Sequence, residues 1–355
     1  MSIYFSGRLR SLVPYVPGEQ PQGKPYLKLN TNESPFPPPP SVAEAVAAEA
    51  KRLQLYSDPD SRALVEQLAV SKGVRPEQVL VGNGSDEVLS FAFQAFADET
   101  HPLCFPDITY GFYPVLAELY RIPYTCIPLR EDFTVDPLPY TGCGRTVVIA
   151  NPNAPTGIAL PLATIEKIVR ANPETVVLID EAYVDFGGES AIPLTEKYEN
   201  LLVVQTFSKS RSLAGGRLGF AVGSEKLIAD LHTVRNSFNP YNVNRMTAAA
   251  GVAALREQAY YDENCRAIAE NRAWTAEALQ ALGFTVLPSQ ANFVFARSER
   301  IGGETLYLEL KKRGILVRHF GAERIAAYNR ITIGTRVQME RLIDTIKTIL
   351  EGTAP

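Results

Sequence analysis

Leu201-Leu202-Val203-Val204-Gln205-Thr206-Phe207-Ser208-Lys209 decides how this chain reads. An apolar run leads into two hydroxyls and a lysine, and the turn Ala214-Gly215-Gly216 with Arg217 follows. A continuous apolar run of this kind is a strand buried on both faces. A lysine just past it sits at the mouth of a sheet, with hydroxyls and a guanidinium close by. An amine that tethers a carbonyl beside a phosphate site requires that setting. A lone lysine after a strand is usually only a solvated amine, so the weight falls on the other strand ends.

Working outward, the same pattern recurs. Val79-Leu80-Val81 breaks at Gly82-Asn83-Gly84, and helical spacing follows over 86–97. Thr146-Val147-Val148-Ile149-Ala150 runs into the loop 151–157 and a helix over 162–171. Thr175-Val176-Val177-Leu178-Ile179 ends at Asp180. Strands separated by helices at this spacing predict a mostly parallel α/β sheet covered on both faces. Ligands of such sheets lie at the carboxyl ends of the strands. Those ends are 82–85, 151–157, 180 and 206–209, so the polar chemistry converges on one edge.

The flanks read differently. Residues up to Pro40 lack periodicity and finish in Pro35-Phe36-Pro37-Pro38-Pro39-Pro40, an extended arm. Ser41 with Glu44 predicts a capping box, with a helix running to Gln54. Residues 243–282 predict one long helix or two in series, ending at Gly283. Short strands at 284–286, 293–295, 315–317 and 330–333 surround a helix over 304–313, and a last helix starts near Val337. The expected division is a large domain at 41–238, with the arm 1–40 and a smaller α+β domain at 239–355.

Each strand end carries a specific group. Asp180 ends a buried strand, where a carboxylate is costly without a partner. It could be an ordinary cap or ion pair, or the partner of a protonated pyridine nitrogen. Tyr183 could donate its phenol to an oxygen on the same ring. Ser85 and Asp86 open a helix after a glycine turn, a natural anion site as well as a plain cap. Thr206, Ser208 and Arg217 can add two hydroxyls and a bidentate guanidinium to one phosphate. Tyr110, in Thr109-Tyr110-Gly111, could stack on a planar ring or serve as a core aromatic. Tether, ring partner, phosphate cup and stacking aromatic together describe pyridoxal phosphate. A nicotinamide cofactor fits poorly, because Gly82-Asn83-Gly84 lacks a third glycine and leaves the lysine unexplained.

Composition narrows the field. The 355 residues are 46% hydrophobic and 21% charged, enough for a two-domain globular protein. Net charge is −4 with no basic block, so neither nucleic acid nor an anionic membrane is an expected partner. Cys104, Cys126, Cys143 and Cys265 show no C-x-x-C spacing and read as reduced thiols of a cytoplasmic protein. The first residues carry no apolar core of signal-peptide length, and no apolar run is long enough to span a membrane. His101, His232 and His319 stand apart, so no metal site is expected.

The chain resembles the fold-type I pyridoxal-phosphate aminotransferases, and within them the histidinol-phosphate aminotransferase family. The likeness runs through Pro14-Tyr15-Val16-Pro17-Gly18, Leu29-Asn30-Thr31-Asn32-Glu33-Ser34-Pro35 and Tyr56-Ser57-Asp58-Pro59. It continues in Gly82-Asn83-Gly84-Ser85-Asp86-Glu87, Asn151-Pro152-Asn153-Ala154-Pro155-Thr156-Gly157, Asp180-Glu181-Ala182-Tyr183 and Ser208-Lys209 with Gly216-Arg217. It closes in Arg313-Gly314-Ile315-Leu316-Val317-Arg318 and Arg330-Ile331-Thr332-Ile333-Gly334-Thr335.

The resemblance implies a large domain with a mostly parallel seven-stranded sheet, a smaller α+β domain and a homodimer with shared active sites. It implies that Lys209 tethers the cofactor and shuttles a proton. Asp180 and Tyr183 would pair with the ring nitrogen and the phenolic oxygen. Tyr110 would stack on the ring, and Ser85, Asp86, Thr206, Ser208 and Arg217 would surround the phosphate. Tyr56 would reach the phosphate of the other subunit. Arg330 would hold the substrate anion with Arg318 and Tyr15, and Asn32 is a further substrate-side candidate. One departure stands out: Ala154 occupies a position where the family usually carries an Asn that bonds the phenolic oxygen. Asn153 or Tyr183 takes that bond, or it is missing. Gly216, where a larger apolar residue is common, is a second departure.

The implied reaction converts L-histidinol phosphate and 2-oxoglutarate to imidazole acetol phosphate and L-glutamate, in histidine biosynthesis. An aromatic amino acid aminotransferase and a threonine-phosphate decarboxylase are alternatives on the same scaffold. A cofactor-sensing regulator is a non-enzymatic alternative, but it would need a DNA-binding segment that the sequence lacks.

Overall fold

A computed structural model describes residues 2–352 except Gln22 and Lys24. The remaining positions of the expected arm and C-terminal domain (1, 22, 24 and 353–355) lie outside the described residues. In chain order the regular elements are β1 (Leu27–Lys28), α1 (Pro40–Ala50), α2 (Arg62–Lys72), β2 (Val79–Gly82), α3 (Ser85–Phe96), β3 (Leu103–Pro106), α4 (Phe112–Tyr120), β4 (Tyr124–Ile127), β5 (Thr146–Ala150), α5 (Leu162–Arg170), β6 (Val177–Asp180), β7 (Leu201–Thr206) and β8 (Gly219–Val222). There follow α6 (Glu225–Phe238), α7 (Arg245–Arg256), α8 (Gln258–Ala281), β9 (Phe284–Val286), β10 (Phe293–Ser298), α9 (Gly303–Lys312), β11 (Ile315–Leu316), β12 (Arg318–His319), β13 (Tyr328–Thr332) and α10 (Arg336–Gly352).

The fold is α/β. Seven strands in the order β2-β8-β7-β6-β5-β3-β4 form the large sheet. β8 alone runs antiparallel to its neighbours, β2 and β7. β7, β6, β5, β3 and β4 pair in parallel, with Asp180 opposite Val204 and Ala150 opposite Asp180. The continuous apolar runs make sense here, because both faces are covered. Val147, Ile149, Ile179 and Val203 pack on one face with Leu68 of α2 and Ala254 of α7. Val148, Leu178, Leu202 and Val204 pack on the other with Phe91 of α3 and Leu231 of α6. Truncating one such side chain, Leu202→Ala for example, removes about 3 kcal/mol.

A second core lies against the sheet β12-β13-β10-β9, where Val294 and Ile331 meet α8, α9 and α10 through Ile268, Leu306 and Ile343. The proline-rich arm is tied into this body. β1 pairs with β11, and the Thr332 N–H donates to the Leu29 carbonyl at 2.9 Å. Residues between 243 and 261 pack instead with the core of the large sheet, through Val243, Ala250 and Tyr261.

Of the two readings of 243–282, one long helix or two in series, the structure has the second, as α7 and α8. The capping box at Ser41 is not. Helix α1 starts at Pro40 with Pro39 at its cap, and the Ser41 hydroxyl donates to Glu257 Oε1 at 2.7 Å. Proline at the first helical position has no orphan N–H to satisfy, so a side-chain cap there gains less. The helix also stops at Ala50, short of Gln54. Among the described residues no helix is long and apolar enough to cross a membrane, and no group of His, Cys, Asp or Glu is placed to hold a metal.

Candidate active site

At the carboxyl edge of the large sheet, facing the second body, lies a cleft of about 240 Å³. Ser85, Asp86, Tyr110, Ala154, Asp180, Tyr183, Thr206, Ser208, Lys209 and Arg217 line one side of it. Tyr15, Asn32, Arg318, Phe320 and Arg330 line the other.

Lys209 leaves the end of β7 and points its Nζ toward the Thr31 carbonyl, 3.3 Å away. It lies 5.9 Å from the centre of the Tyr183 ring. Burial pushes its pKa down to about 8; Arg330 and Arg217 push the same way, against Asp86 and Glu33. Part of this amine is therefore neutral, and nucleophilic, near pH 8.

Asp180 closes β6 and is 4% exposed. Its Oδ2 accepts the Tyr113 hydroxyl at 2.7 Å and its Oδ1 accepts the Ala182 N–H at 3.2 Å. Burial raises its pKa to about 6, opposed by the Tyr113 hydrogen bond. A cation on the cleft side would reverse that cost. Tyr113 was not singled out from the sequence. Its only signal is its place one helical turn after Tyr110.

The phosphate-like cup rests on close backbone approach. Gly84 caps α3 at φ +88°, and a Cβ there would come within 2.5 Å of Arg217 Nη2. A Cβ on Gly219 would lie 2.3 Å from the Ser85 nitrogen. Glycine at both places lets the N-terminus of α3, β8 and Arg217 meet. Thr206 Oγ1 donates to Ser208 Oγ at 3.0 Å, and Arg217 Nη2 bonds Asp86 Oδ2 at 3.2 Å. Tyr110 donates to Asp86 Oδ1 at 2.9 Å, and burial holds its phenol well above the usual range.

Arg330, on β13, donates from Nη2 to the Asn30 carbonyl at 3.0 Å. Its buried Nε has no partner among the described residues, and Phe293 and Phe320 flank the guanidinium. A buried, incompletely paired guanidinium is an anion site. Arg318 faces Arg330 across β12 and β13 and holds the arm carbonyls of Val16 and Pro17 at 3.1 and 3.4 Å. Tyr15 packs edge-on against Tyr110 and Phe112.

Two expected residues lie elsewhere. Asn153 is turned away from the cleft: its Nδ2 donates to the Ile108 carbonyl and Thr156, and its Oδ1 accepts from Thr109. Both its N–H donors are used, in tying its loop to the loop after β3 at Ile108 and to Thr156, so it does not stand in for the missing amide at 154. Tyr56 is 80% exposed and stacked on Tyr241 at 4.6 Å, outside the cleft of its own chain. Asn32 does line the cleft, but its Nδ2 is spent on the Tyr183 hydroxyl at 2.9 Å.

The family profile described as "Aminotransferase class I and II" matches residues 24–346. The chain is 51% identical to a histidinol-phosphate aminotransferase 1 of Bordetella parapertussis, across 99% of this chain and 100% of that one. It superposes with a TM-score of 0.90 and 24% identity on histidinol-phosphate aminotransferase from Sinorhizobium meliloti in complex with pyridoxal-5'-phosphate, covering 100% and 99% of the two chains. L-threonine-O-3-phosphate decarboxylase from Porphyromonas gingivalis gives 0.80 at 23% identity, covering 92% and 99%. Likeness at that level is one of fold, so it does not separate the two reactions.

Proposed function

The chain belongs to the class I and II aminotransferases, and from that premise we propose that it is a pyridoxal-phosphate-dependent histidinol-phosphate transaminase acting in histidine biosynthesis. The observation that carries the substrate reading is the full-length 51% identity to a relative of that activity. The cleft agrees with it: an amine of lowered pKa, a buried carboxylate and an incompletely paired arginine face one another.

Pyridoxal phosphate, when bound, supplies an aldehyde for amines and a ring that draws electrons from the substrate Cα. The residues present fit it. Lys209 Nζ would be the tether, and its amine would carry the proton from the substrate Cα. Asp180, held by Tyr113 and the Ala182 N–H, keeps the ring nitrogen protonated. The N–H groups that open α3, with Thr206, Ser208 and Arg217, hold the phosphate. Tyr110 would stack on the ring and Tyr183 would donate to the phenolic oxygen. Arg330, with Arg318, takes the phosphate of histidinol phosphate in one half-reaction and a carboxylate of glutamate or 2-oxoglutarate in the other.

The working unit in this proposal is a cytoplasmic homodimer. Leu53, Leu55, Tyr56 and Phe238 are more than half exposed, an apolar surface that suits a second copy. In this reading Tyr56, on that surface, reaches the partner's phosphate site. We divide the chain into a large domain at 41–238 and a small domain formed by the arm and 239–355, whose first residues, 243–261, lean on the core of the large sheet.

A half-reaction panel tests this. Histidinol phosphate should convert the bound cofactor to its amino form faster than phenylalanine or tyrosine does. Faster conversion by an aromatic amino acid, or release of carbon dioxide from phosphothreonine, overturns it.

A further inference from the structure

The Tyr183 hydroxyl has one proton to give, and the residues behind it decide where that proton goes. Thr332 Oγ1, 2% exposed at the residue level, accepts the Asn32 backbone N–H at 3.0 Å. Its own proton has one acceptor among the described residues, Asn32 Oδ1 at 2.9 Å. Turning the Asn32 amide over would set its NH2 group against Thr332 and leave that buried hydroxyl proton without an acceptor, which is costly in a buried site. The amide is thereby oriented, and its Nδ2 donates to the Tyr183 oxygen at 2.9 Å. The Asn32 backbone is held as well, at φ +56° with its carbonyl accepting from Asn292 Nδ2 at 3.0 Å.

We propose that Thr332 and Asn32 are positioning residues that fix the direction of the Tyr183 hydroxyl, turning its proton into the cleft. The Tyr183 oxygen is already an acceptor from Asn32, so its proton is free to be donated. The neighbouring wall is the methyl group of Ala154, packed with Phe293 and Tyr183, and it has no donor to offer. On that side of the cleft the phenolic oxygen of the cofactor therefore depends on this one hydroxyl. The relay also joins three parts of the chain: Thr332 on β13, Asn32 in the arm and Tyr183 after β6. Arg330 lies two residues before Thr332, on the same face of β13. The strand that reads the substrate anion thus also sets the hydrogen bond that tunes the ring.

This proposal rests on the reading of the cleft as a pyridoxal phosphate site. It is tested in the holoenzyme by the pH midpoint of the bound cofactor's visible absorbance, without turnover. A donor to the phenolic oxygen stabilises the more negative, deprotonated form and so lowers the midpoint. In Asn32→Asp the introduced carboxylate accepts from both Thr332 and Tyr183 and draws the phenol proton out of the cleft. The midpoint should rise by about one unit, as it should in Tyr183→Phe. Thr332→Val, which frees the amide to turn, should move it in the same direction by less, and Thr332→Ser should restore the wild-type value.

The new negative charge could raise the midpoint by itself, so Asn32→Asp is repeated in the Tyr183→Phe background, where its effect should largely vanish. An equal shift in both backgrounds, or an unmoved midpoint in Thr332→Val, overturns the relay. A wild-type protein that develops no visible band with pyridoxal phosphate refutes the cofactor reading itself, and the relay with it.

Discussion

The two sides of the cleft are built differently. The side on the large sheet is nearly saturated from within. Asp180 has Tyr113 and the Ala182 N–H, Thr206 has Ser208, and Arg217 has Asp86. Several of these partners are strand-end neighbours. The opposite side, from the arm and the small sheet, is assembled over long separations. Arg330 bonds Asn30, Thr332 bonds Asn32, and Arg318 bonds Val16, pairs about 300 residues apart. That side also keeps Arg330 Nε without a partner among the described residues. A saturated wall suits a resident group held through every turnover. A wall with charge in reserve suits an anion that comes and goes.

The largest break falls on the saturated side. Lys209→Ala should abolish the visible band of bound cofactor and lower transamination on the order of 10⁴-fold. A variant with a normal band would show that the tether lies elsewhere. On the other side, Arg330→Ala should lower kcat/KM on the order of 100-fold for histidinol phosphate and for glutamate alike. Cofactor affinity should stay close to wild type. A loss confined to one substrate would show that the two anions are read by different groups.

Smaller still is a pH effect of about tenfold. The neutral amine is the reactive form, and its fraction rises with pH. With a pKa of about 8, Lys209 passes from about one tenth neutral at pH 7 to nine tenths at pH 9. The rate at which the apoprotein captures pyridoxal phosphate should follow that curve and level off. A rate still climbing tenfold per unit at pH 9 would mean an ordinary lysine. The smallest expected effect is that of Arg318→Ala. This side chain is partly exposed and tied to arm carbonyls, so KM should rise about fivefold with kcat nearly unchanged. A loss as large as that of Arg330→Ala would make the two arginines equal partners and blur the distinction between buried and rim charge.

How much of this was legible follows the same divide. The apolar runs at 175–179 and 201–204 read as buried strands because continuous runs rich in β-branched residues suit a sheet covered on both faces. Their terminal residues, Asp180 and Lys209, then had to lie on one edge. Short strands such as β3 and β8 left weaker marks, β8 because it opens on Gly219. Ser41 misled because a local capping pattern was outbid by Glu257, more than 200 residues away. Asn153 misled in the opposite way: it stands in the expected loop, but Ile108, in the loop after β3, and Thr156 take both its N–H donors.

The sequence by itself determined an α/β sheet, the convergence of an amine, a carboxylate and a cluster of hydroxyls with Arg217 at its edge, and the family. Those follow from side-chain periodicity and from which residues can end a buried strand, both of which are local. Only the tertiary structure decided that Tyr113 steadies Asp180, that Arg330 keeps a nitrogen unpaired among the described residues, and that Asn32 faces Tyr183. Each depends on which distant group occupies the next hydrogen-bonding position inside a buried space, and periodicity carries no record of that.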